Sequence, residues 1–224
     1  MTKGFMSKKN NAAAGAFEIL KQLNGPLSVG IGTGSTTDCF TENFLPLLGE
    51  KIKSLYSSSD RTSELLLKLG FQVSEYKPNN MLDVYIDGAD EVDDNLNLIK
   101  GGGGAHTNEK KLAKQAQRFI CIVDDEKLVN TLGKFPLPVE IESEESEEAI
   151  SSLAQYSNKI IKRDGLSDNG NHLYDIHNFM IEDPLKIEHE VLSINGVVDV
   201  GIFSVDSPTT VVVGSDSGYR LIDS

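Results

Sequence analysis

Residues 30–37, with the sequence GIGTGSTT, combine three glycines with several hydroxyl side chains at the end of an apolar run. An amphipathic stretch follows, so the pattern predicts a strand, a tight turn and the start of a helix. Backbone N–H groups and the dipole at a helix start attract an anion, and glycine lets the chain approach it closely. The segment predicts a phosphate site at Thr33, Gly34, Ser35 and Thr36, with ordinary helix capping by the hydroxyls as the alternative.

The same segment departs from both common nucleotide-binding patterns. The dinucleotide fingerprint has glycine where this sequence has Ser35, and a P-loop has Gly-Lys followed by serine or threonine, which the segment lacks. These two departures favour a small phosphorylated ligand over a nucleotide.

A cluster of carboxylates at residues 87–91, DGADE, directly follows the apolar run 82–86. Ligands of open α/β sheets bind beyond the carboxyl ends of the strands, where this cluster falls. Gly88 permits a turn that brings Asp87 and Asp90 to one side, which suits acid/base chemistry, sugar hydroxyl binding or metal coordination. Solvated turn residues are the alternative. We expect no metal, because no histidine or further carboxylate set completes an oxygen shell.

Lys100 precedes four consecutive glycines, and Glu109 follows in the next helical stretch. Ordering four glycines has a high entropic cost, which indicates a loop whose backbone at Gly101, Gly102 and Gly103 approaches a ligand; a flexible linker is the alternative. Glu109 falls in the first turn of the predicted helix, where the dipole stabilises a carboxylate. A rigidly held catalytic base and a purely structural charge–dipole contact both fit that position.

Apolar runs and amphipathic stretches alternate over the first two thirds of the chain, which is typical of strands joined by crossover helices. The predicted strands cover 27–32, 52–57, 82–87 and 119–123, and the predicted helices cover 12–23, 36–48, 61–69 and 107–117. This alternation predicts a Rossmann-like, doubly wound α/β domain with a parallel sheet, formed by residues 1–133 and 205–224.

The segment 133–138, GKFPLP, predicts a domain boundary, because two prolines interrupt helical structure and a glutamate-rich run follows. Beyond it, the patterns predict strand 137–141, helix 144–156, strands 159–163 and 173–181, helix 184–194 and strand 197–203. This order indicates a ferredoxin-like α+β domain over 134–204. Residues 209–222 are predicted to form a hairpin that returns to the larger domain.

The chain carries 21 basic and 34 acidic side chains, a net charge of −13, which disfavours nucleic acid as a partner. No run approaches the ~18 apolar residues of a membrane-spanning helix. Glu18 and Lys21 cut the first apolar stretch too short for a secretory signal, so we expect a cytoplasmic protein. Cys39 and Cys121 show no metal or redox spacing and are expected to be free thiols.

Together, the motifs GTGST, DGADE and KGGGGAxTxEK, in this order and at these separations, resemble those of ribose-5-phosphate isomerase of the A type. The resemblance continues through residues 119–127, 133–140, 168–171 and 196–203, and it covers nearly the whole chain. Several unlike motifs in family order are far more specific than one glycine loop.

The resemblance implies a metal-independent aldose–ketose isomerase of the pentose phosphate pathway, without a cofactor. Such an enzyme interconverts ribose 5-phosphate and ribulose 5-phosphate through an enediolate. By this resemblance Glu109 is the base that moves a proton between C2 and C1. Asp87, Asp90 and Lys100 would direct hydroxyl protons and stabilise oxyanion charge.

The same resemblance assigns Lys127 to the phosphate together with Thr33, Ser35 and Thr36, and it implies a homodimer or homotetramer. The sugar phosphate is then the small-molecule partner, with no nucleic acid and no membrane.

This sequence departs from the family pattern at two places. Family members commonly have an apolar residue where this chain has His106; for that side chain a sugar hydroxyl contact and ordinary packing both stay open. The family's N-terminal lysine pair lies closer to the phosphate loop than Lys8 and Lys9, which stand 24 and 23 residues before Gly32. Their part in phosphate binding is an open question.

Other functions fit parts of the pattern. A non-catalytic sugar-phosphate sensor needs the phosphate donors but neither Glu109 nor Lys100, and it normally carries an output module. A different enzyme, either an amino-sugar phosphate isomerase or a nucleotide-dependent oxidoreductase, is the further alternative. The serine at position 35 disfavours the oxidoreductase.

Overall fold

The structure is a computed structural model that describes residues 7–77 and 81–224. Within these ranges the α-helices are α1 (Lys8–Gln22), α2 (Ser35–Asn43), α3 (Asp60–Lys68), α4 (His106–Gln115), α5 (Ser146–Leu153) and α6 (Pro184–Leu192). The strands are β1 (Leu27–Ile31), β2 (Ile52–Ser57), β3 (Val84–Asp87), β4 (Glu91–Val92), β5 (Leu98–Ile99), β6 (Phe119–Asp124), β7 (Leu137–Ile141), β8 (Ile160–Lys162), β9 (His172–Ile176), β10 (Val197–Val200), β11 (Ile202–Phe203), β12 (Thr210–Ser215) and β13 (Gly218–Asp223). Short 3₁₀ segments cover Leu45–Lys51 and Asp125–Lys127.

The chain divides into two compact units. Unit 1 comprises the described residues of Met1–Gly88, Lys111–Lys127 and Pro208–Ser224, and unit 2 comprises Ala89–Lys110 and Leu128–Ser207. This division differs from the sequence-based boundaries in that residues 89–110, 128–133 and 205–207 belong to unit 2. The difference arises partly because β4 and β5 pair with β11 in a sheet of that unit.

Unit 1 is built around a six-stranded sheet in the order β13-β12-β6-β3-β1-β2. All neighbouring strands are parallel except β12 and β13, which form a hairpin. β3 and β6 are completely buried and β1 nearly so, because parallel strands are normally covered on both faces. The predicted α/β class with a parallel-dominated sheet is confirmed, and the predicted hairpin joins this sheet.

Close packing fixes the position of α1 on the sheet. The Ser7 hydroxyl accepts a hydrogen bond from the Asn10 N–H at 3.3 Å and so caps the helix. A Cβ at Gly15 would lie 2.5 Å from a Val212 methyl carbon, and one at Gly214 would lie 1.9 Å from the Lys8 carbonyl oxygen. These glycines let helix and strands touch directly, which fixes the N-terminus of α1.

The same sheet brings several predicted site segments to one edge. β1, β3 and β6 run in the same direction, so their carboxyl ends lie at the same edge. Residues 32–34 follow β1, Asp87 ends β3, and Asp125–Lys127 follows β6. Neighbouring strands of a sheet lie about 4.8 Å apart, so these segments are close neighbours in unit 1.

Unit 2 contains a four-stranded antiparallel sheet in the order β10-β7-β9-β8 and a three-stranded sheet in the order β11-β5-β4. Its elements β7, α5, β8, β9, α6 and β10 follow each other in the predicted ferredoxin-like order. Apolar side chains from β7, β9, α5 and α6 form its core. Lys100 follows β5 directly, so the three-stranded sheet fixes the position of its Cα atom.

Several predicted elements are too long, among them helix 144–156, which is observed as Ser146–Leu153. Two others end early for a clear physical reason. The predicted helix 36–48 ends at Asn43, and a 3₁₀ segment with Pro46 near its start replaces the remainder, since proline cannot donate a backbone hydrogen bond. The predicted strand 173–181 ends at Ile176, because Asn178 has a left-handed φ of 55° that interrupts an extended chain.

The predicted strand 197–203 is wrong in a way that matters for the site, since Gly201 divides it into β10 and β11 in different sheets. The Gly201 N–H donates to the Pro138 carbonyl, and the Gly201 carbonyl accepts from the Lys100 N–H, both at 2.8 Å. A Cβ at Gly201 would lie 2.3 Å from the Lys100 carbonyl oxygen. The glycine therefore lets the chain pass directly beside Lys100 and fixes its backbone.

Candidate active site

The loop after β1 leads into a helix start that no side chain of the described residues caps. Gly34 is the N-cap residue of α2, with a φ of 154° and no side-chain capping hydrogen bond. The Thr33 hydroxyl instead contacts the Ser58 and Ser59 hydroxyl oxygens at 2.9 and 2.6 Å. The first-turn N–H groups of α2 are not occupied by a capping hydroxyl, which favours an anion site over ordinary capping.

Asp87 organises this loop. It is fully buried, and its Oδ1 accepts from the N–H groups of Thr33 at 3.1 Å and Gly88 at 2.7 Å. The Tyr85 hydroxyl donates to its Oδ2. A Cβ at Gly32 would lie 1.8 Å from the Asp87 Cγ, so only glycine fits there. Asp87 is therefore the hydrogen-bonding centre of the loop after β1 and not a solvated turn residue.

One lysine of α1 reaches the same loop. The Lys9 Nζ donates to the Ser35 Oγ at 2.7 Å. The Lys8 Nζ instead donates to the Asp125 Oδ1 at 2.7 Å and the Glu126 Oε1 at 3.1 Å, and these hydrogen bonds hold its pKa above the ordinary range. Consecutive helical residues project in different directions, so the spacing to Gly32 alone could not distinguish the two. The geometry selects Lys9 for the loop.

Lys127, the other cation predicted for the phosphate, ends the 3₁₀ segment after β6 and is half-buried. Among residues 7–77 and 81–224 its ammonium group forms no hydrogen bond or ion pair. The structure places it at the correct edge of the sheet but does not bring it onto Ser35, so its phosphate role stays a prediction.

A buried ion pair joins the predicted base and the predicted oxyanion partner in unit 2. The Lys100 Nζ lies 3.1 Å from the Glu109 Oε2, and the side chains are only 2% and 3% exposed. The Lys100 Nζ also lies 5.4 Å from the centroid of the Phe203 ring. Glu109 lies in the first turn of α4, as predicted. Opposite charges held in such a poorly solvated environment interact strongly.

This pair contains both groups that proton abstraction beside a carbonyl requires. A carboxylate accepts the proton, and an ammonium group stabilises the negative charge that develops on the carbonyl oxygen. Because each side chain restrains the other, little reorganisation is needed when that charge appears. A charge–dipole contact alone would require Glu109 but not a buried lysine beside it.

The four glycines form an ordered turn, which contradicts the flexible-linker alternative. The Gly104 N–H donates to the Gly101 carbonyl at 2.9 Å, and both residues have positive φ, 80° and 98°. The Asp90 Oδ2 accepts from the Gly102 N–H at 2.8 Å. Gly102 and Gly103 are exposed at the tip of the turn. Their backbone is consequently both ordered and accessible to a ligand.

His106 is a packed residue beneath this turn. It is completely buried, its Nε2 lies 3.4 Å from the Asp199 carbonyl oxygen, and its Nδ1 has no hydrogen-bond partner. Burial lowers its pKa to about 4, with Lys110 acting in the same direction against Asp199 and Glu140. A Cβ on Gly101 would lie 2.7 Å from the His106 Nδ1. The neutral ring fills space under the turn, which favours packing over a sugar contact.

Two further findings concern the described residues only. They contain no group of three or more histidine, cysteine, aspartate or glutamate side chains able to hold a metal ion. No helix among them is long and apolar enough to cross a membrane. Cys39 and Cys121 are free thiols, as predicted.

The fold is that of a mixed α/β protein, with an uncapped helix start in unit 1 and a buried lysine–glutamate pair in unit 2. The family model of ribose 5-phosphate isomerase A (phosphoriboisomerase A) matches residues 54–218. The chain belongs to this family.

Individual relatives cover nearly the whole chain. Ribose-5-phosphate isomerase A of Bordetella avium (strain 197N) is 40% identical over 216 residues, 96% of each chain. The protein of the same name from Neisseria meningitidis serogroup C (strain 053442) is 43% identical over 195 residues, 87% of each chain. Among solved structures, ribose 5 phosphate isomerase A from Neisseria gonorrhoeae has a TM-score of 0.90 and 39% identity, covering 96% of each chain. A D-ribose-5-phosphate isomerase in complex with phospho-erythronic acid has a TM-score of 0.87 and 35% identity, covering 97% of this chain and 98% of that one.

Proposed function

We propose that this chain interconverts D-ribose 5-phosphate and D-ribulose 5-phosphate. The buried Lys100–Glu109 pair carries the proposal, because it supplies a base and an oxyanion partner 3.1 Å apart. Membership of the ribose 5-phosphate isomerase A family supports the substrate. The relative solved with phospho-erythronic acid supports a phosphorylated sugar derivative as the ligand class.

In the proposed reaction, Glu109 removes the proton from C2 of the open-chain aldose. The electron pair moves into the C1 carbonyl, and the Lys100 ammonium stabilises the negative charge on O1 of the resulting enediolate. Glu109 then returns the proton to C1, while the hydroxyl proton on O2 passes to O1 and leaves a ketone at C2. We assign the hydroxyl-proton step to Asp87, Asp90 and Lys100, and ligand contacts from the turn to the backbone of Gly101, Gly102 and Gly103.

The proposed phosphate site is the helix start after β1. The N–H groups at Gly34, Ser35 and Thr36 supply donors. Thr33 instead shapes the loop, because its N–H donates to Asp87 and its hydroxyl contacts the Ser58 and Ser59 hydroxyls. Lys9 adds a positive charge at 2.7 Å from the Ser35 hydroxyl. This local charge acts within a Debye length of about 8 Å and so outweighs the chain's overall negative charge.

Ketose formation from ribose 5-phosphate, followed in the presence of EDTA, tests this proposal. We expect turnover that EDTA leaves unchanged. An amino-sugar phosphate offered in its place tests the other isomerase alternative. Binding of ribose 5-phosphate without turnover would instead support the sensor alternative and refute the isomerase.

Metal independence, a cytoplasmic location and a homodimer or homotetramer are part of the same proposal. The metal independence and the oligomeric state rest on the family resemblance. Light scattering of the purified chain distinguishes dimer from tetramer, and a monomer would contradict both.

A further inference from the structure

The side chain of Arg163 binds the glycine turn directly. Its Nη1 donates to the Gly101 carbonyl oxygen at 2.8 Å and to the Gly102 carbonyl oxygen at 3.2 Å. Arg163 directly follows β8 and belongs to unit 2 with the turn. No motif in the sequence assigns it a role, because it merely ends a predicted strand.

The peptide groups of the turn are restrained to different degrees. The first, between Gly101 and Gly102, is held at both ends, since its carbonyl accepts from Arg163 and its N–H donates to Asp90. The second, between Gly102 and Gly103, is held at its carbonyl by Arg163. The Gly103 N–H has no hydrogen-bond partner among the described residues, and Gly103 is exposed.

The planarity of the peptide group connects these contacts to ligand binding. In a trans peptide the N–H points opposite to the carbonyl, so fixing the Gly102 carbonyl also fixes the direction of the Gly103 N–H. Arg163 thereby turns this N–H away from itself and leaves it open to the oxygen of a ligand.

Asp175 fixes the plane of the guanidinium group. The Arg163 Nε donates to the Asp175 Oδ2 at 2.8 Å, and its Nη2 donates to the Asp175 Oδ1 at 2.6 Å. Such a bidentate pair orients the guanidinium before any ligand binds. Both side chains are 19% exposed, and Asp175 lies within β9. The turn is thus fastened to a regular strand.

We infer that Arg163, oriented by Asp175, is a positioning residue that presents the Gly103 N–H to a substrate oxygen. Glycine populates more of backbone conformational space than any other residue, so the hydrogen bond from the Gly104 N–H to the Gly101 carbonyl does not by itself fix the Gly102–Gly103 peptide. Without Arg163 the turn adopts other orientations, and the N–H is in place for only part of the time. The inference rests on the proposed function, because the oxygen it serves is the one that becomes negatively charged during isomerisation.

Four variants test this inference. Arg163→Ala removes both carbonyl contacts, Arg163→Lys replaces the planar fork by an ammonium group, and Asp175→Asn removes the charge that orients the fork. Lys162→Ala is the matched control, because its ammonium group lies 3.2 Å from the His172 Nε2 on β9 rather than on the turn. Steady-state kinetics with ribose 5-phosphate and hydrogen–deuterium exchange of residues 101–104 are measured for each, with circular dichroism to verify folding.

In Arg163→Ala we expect kcat to fall about 10- to 100-fold, as for a displaced catalytic donor. KM should change less than about threefold, because the contact strengthens in the transition state. Exchange of residues 101–104 should accelerate in the same variant. Arg163→Lys and Asp175→Asn should show a smaller fall of kcat and a smaller increase in exchange. Lys162→Ala should change neither kcat nor the exchange of residues 101–104.

Faster exchange with an unchanged kcat overturns the inference and leaves the isomerase proposal intact. A lower kcat with unchanged exchange of residues 101–104 also overturns it. If Arg163→Ala does not fold, Arg163→Lys and Asp175→Asn decide by the same two measurements. An unmodified chain that does not turn over ribose 5-phosphate refutes the proposed function and this inference together.

Discussion

Glu109 and a glutamine at its position differ in the ability to accept a proton, while shape and size are nearly the same. We expect Glu109→Gln to lower kcat by about 10²–10⁴-fold, the usual contribution of a positioned base. Binding of ribose 5-phosphate, measured by calorimetry, should persist because other residues form the proposed phosphate site.

Glu64→Gln is the control for this substitution, since Glu64 lies on α3 and its exposed side chain pairs with Lys68 at 3.8 Å. An unchanged kcat in Glu109→Gln would remove Glu109 from the base role. A comparable loss in Glu64→Gln would show that the assay reports a general effect.

The two lysines at the start of α1 provide a test of the proposed phosphate site and its control. Lys9 contacts Ser35, whereas Lys8 is neutralised by Asp125 and Glu126. Lys9→Ala should raise KM about tenfold, the loss of one hydrogen bond to a charged group, with kcat nearly unchanged. Ser35→Ala should also act mainly on KM. An equal or larger rise of KM in Lys8→Ala would contradict the selection of Lys9.

At the scale of elements, the first turn of α4 carries Glu109 and is fixed by buried polar contacts within unit 2. The Lys110 Nζ pairs with Glu188 and Asp199, each at 2.9 Å, and also donates to the Val200 carbonyl. Glu109, the proposed base, is therefore followed in α4 by a residue that is bonded to α6 and β10.

Removing the lysine from this buried cluster of charges should strongly destabilise the protein. Lys110→Met leaves two carboxylates without their cation, and we expect a loss of about 3–5 kcal/mol in the free energy of unfolding. Urea denaturation followed by circular dichroism measures it. Lys186→Met is the control on the surface of α6, where an exposed pair with Glu190 at 3.7 Å contributes less than about 1 kcal/mol. Similar losses in both variants would show that the buried pair has no special role.

The long elements were predictable because their hydrophobic periodicity is local. β4 and β5 were not, since two-residue strands have no measurable period, and their pairing with β11 joins distant parts of the chain. The break at Gly201 depends on its approach to Lys100, which no local pattern encodes. For the site, residue types and motifs indicated Lys100 and Glu109, whereas the contact of Arg163 with the glycine turn arises only in the folded chain.

At the scale of the whole molecule, pH acts on stability through two different kinds of charge. The surface is strongly acidic, with a net charge of −13 and a pI near 4.7, so acidification towards that pH reduces self-repulsion. Buried groups have the opposite effect, because acidification lowers their contribution to the stability of the folded chain. The pKa of Glu140 is lowered overall, since hydrogen bonds from Thr107, Asn171 and Ser167 outweigh the effect of its burial. Its contribution to stability is lost only as the pH falls below its ordinary pKa.

His106 should make the folded chain sensitive to mild acid. Its pKa is lowered by burial from 6.5 to about 4, so between these values the unfolded chain binds a proton that the folded chain does not. Stability therefore rises with pH across this window and is lost as the pH falls from 6.5 to 4, by about 3 kcal/mol in total. His106→Leu removes the group, and its free energy of unfolding should depend less steeply on pH in that range.

The difference between the two chains reports on His106 together with its electrostatic effect on Glu140, because surface repulsion is common to both chains. Urea unfolding at intervals between pH 4 and pH 7 gives the two curves, which should separate below 6.5. Parallel curves would mean that the folded chain protonates His106 as readily as the unfolded chain does. Asp199 and Glu140 would then compensate its burial fully, and the ring under the glycine turn would be charged rather than neutral.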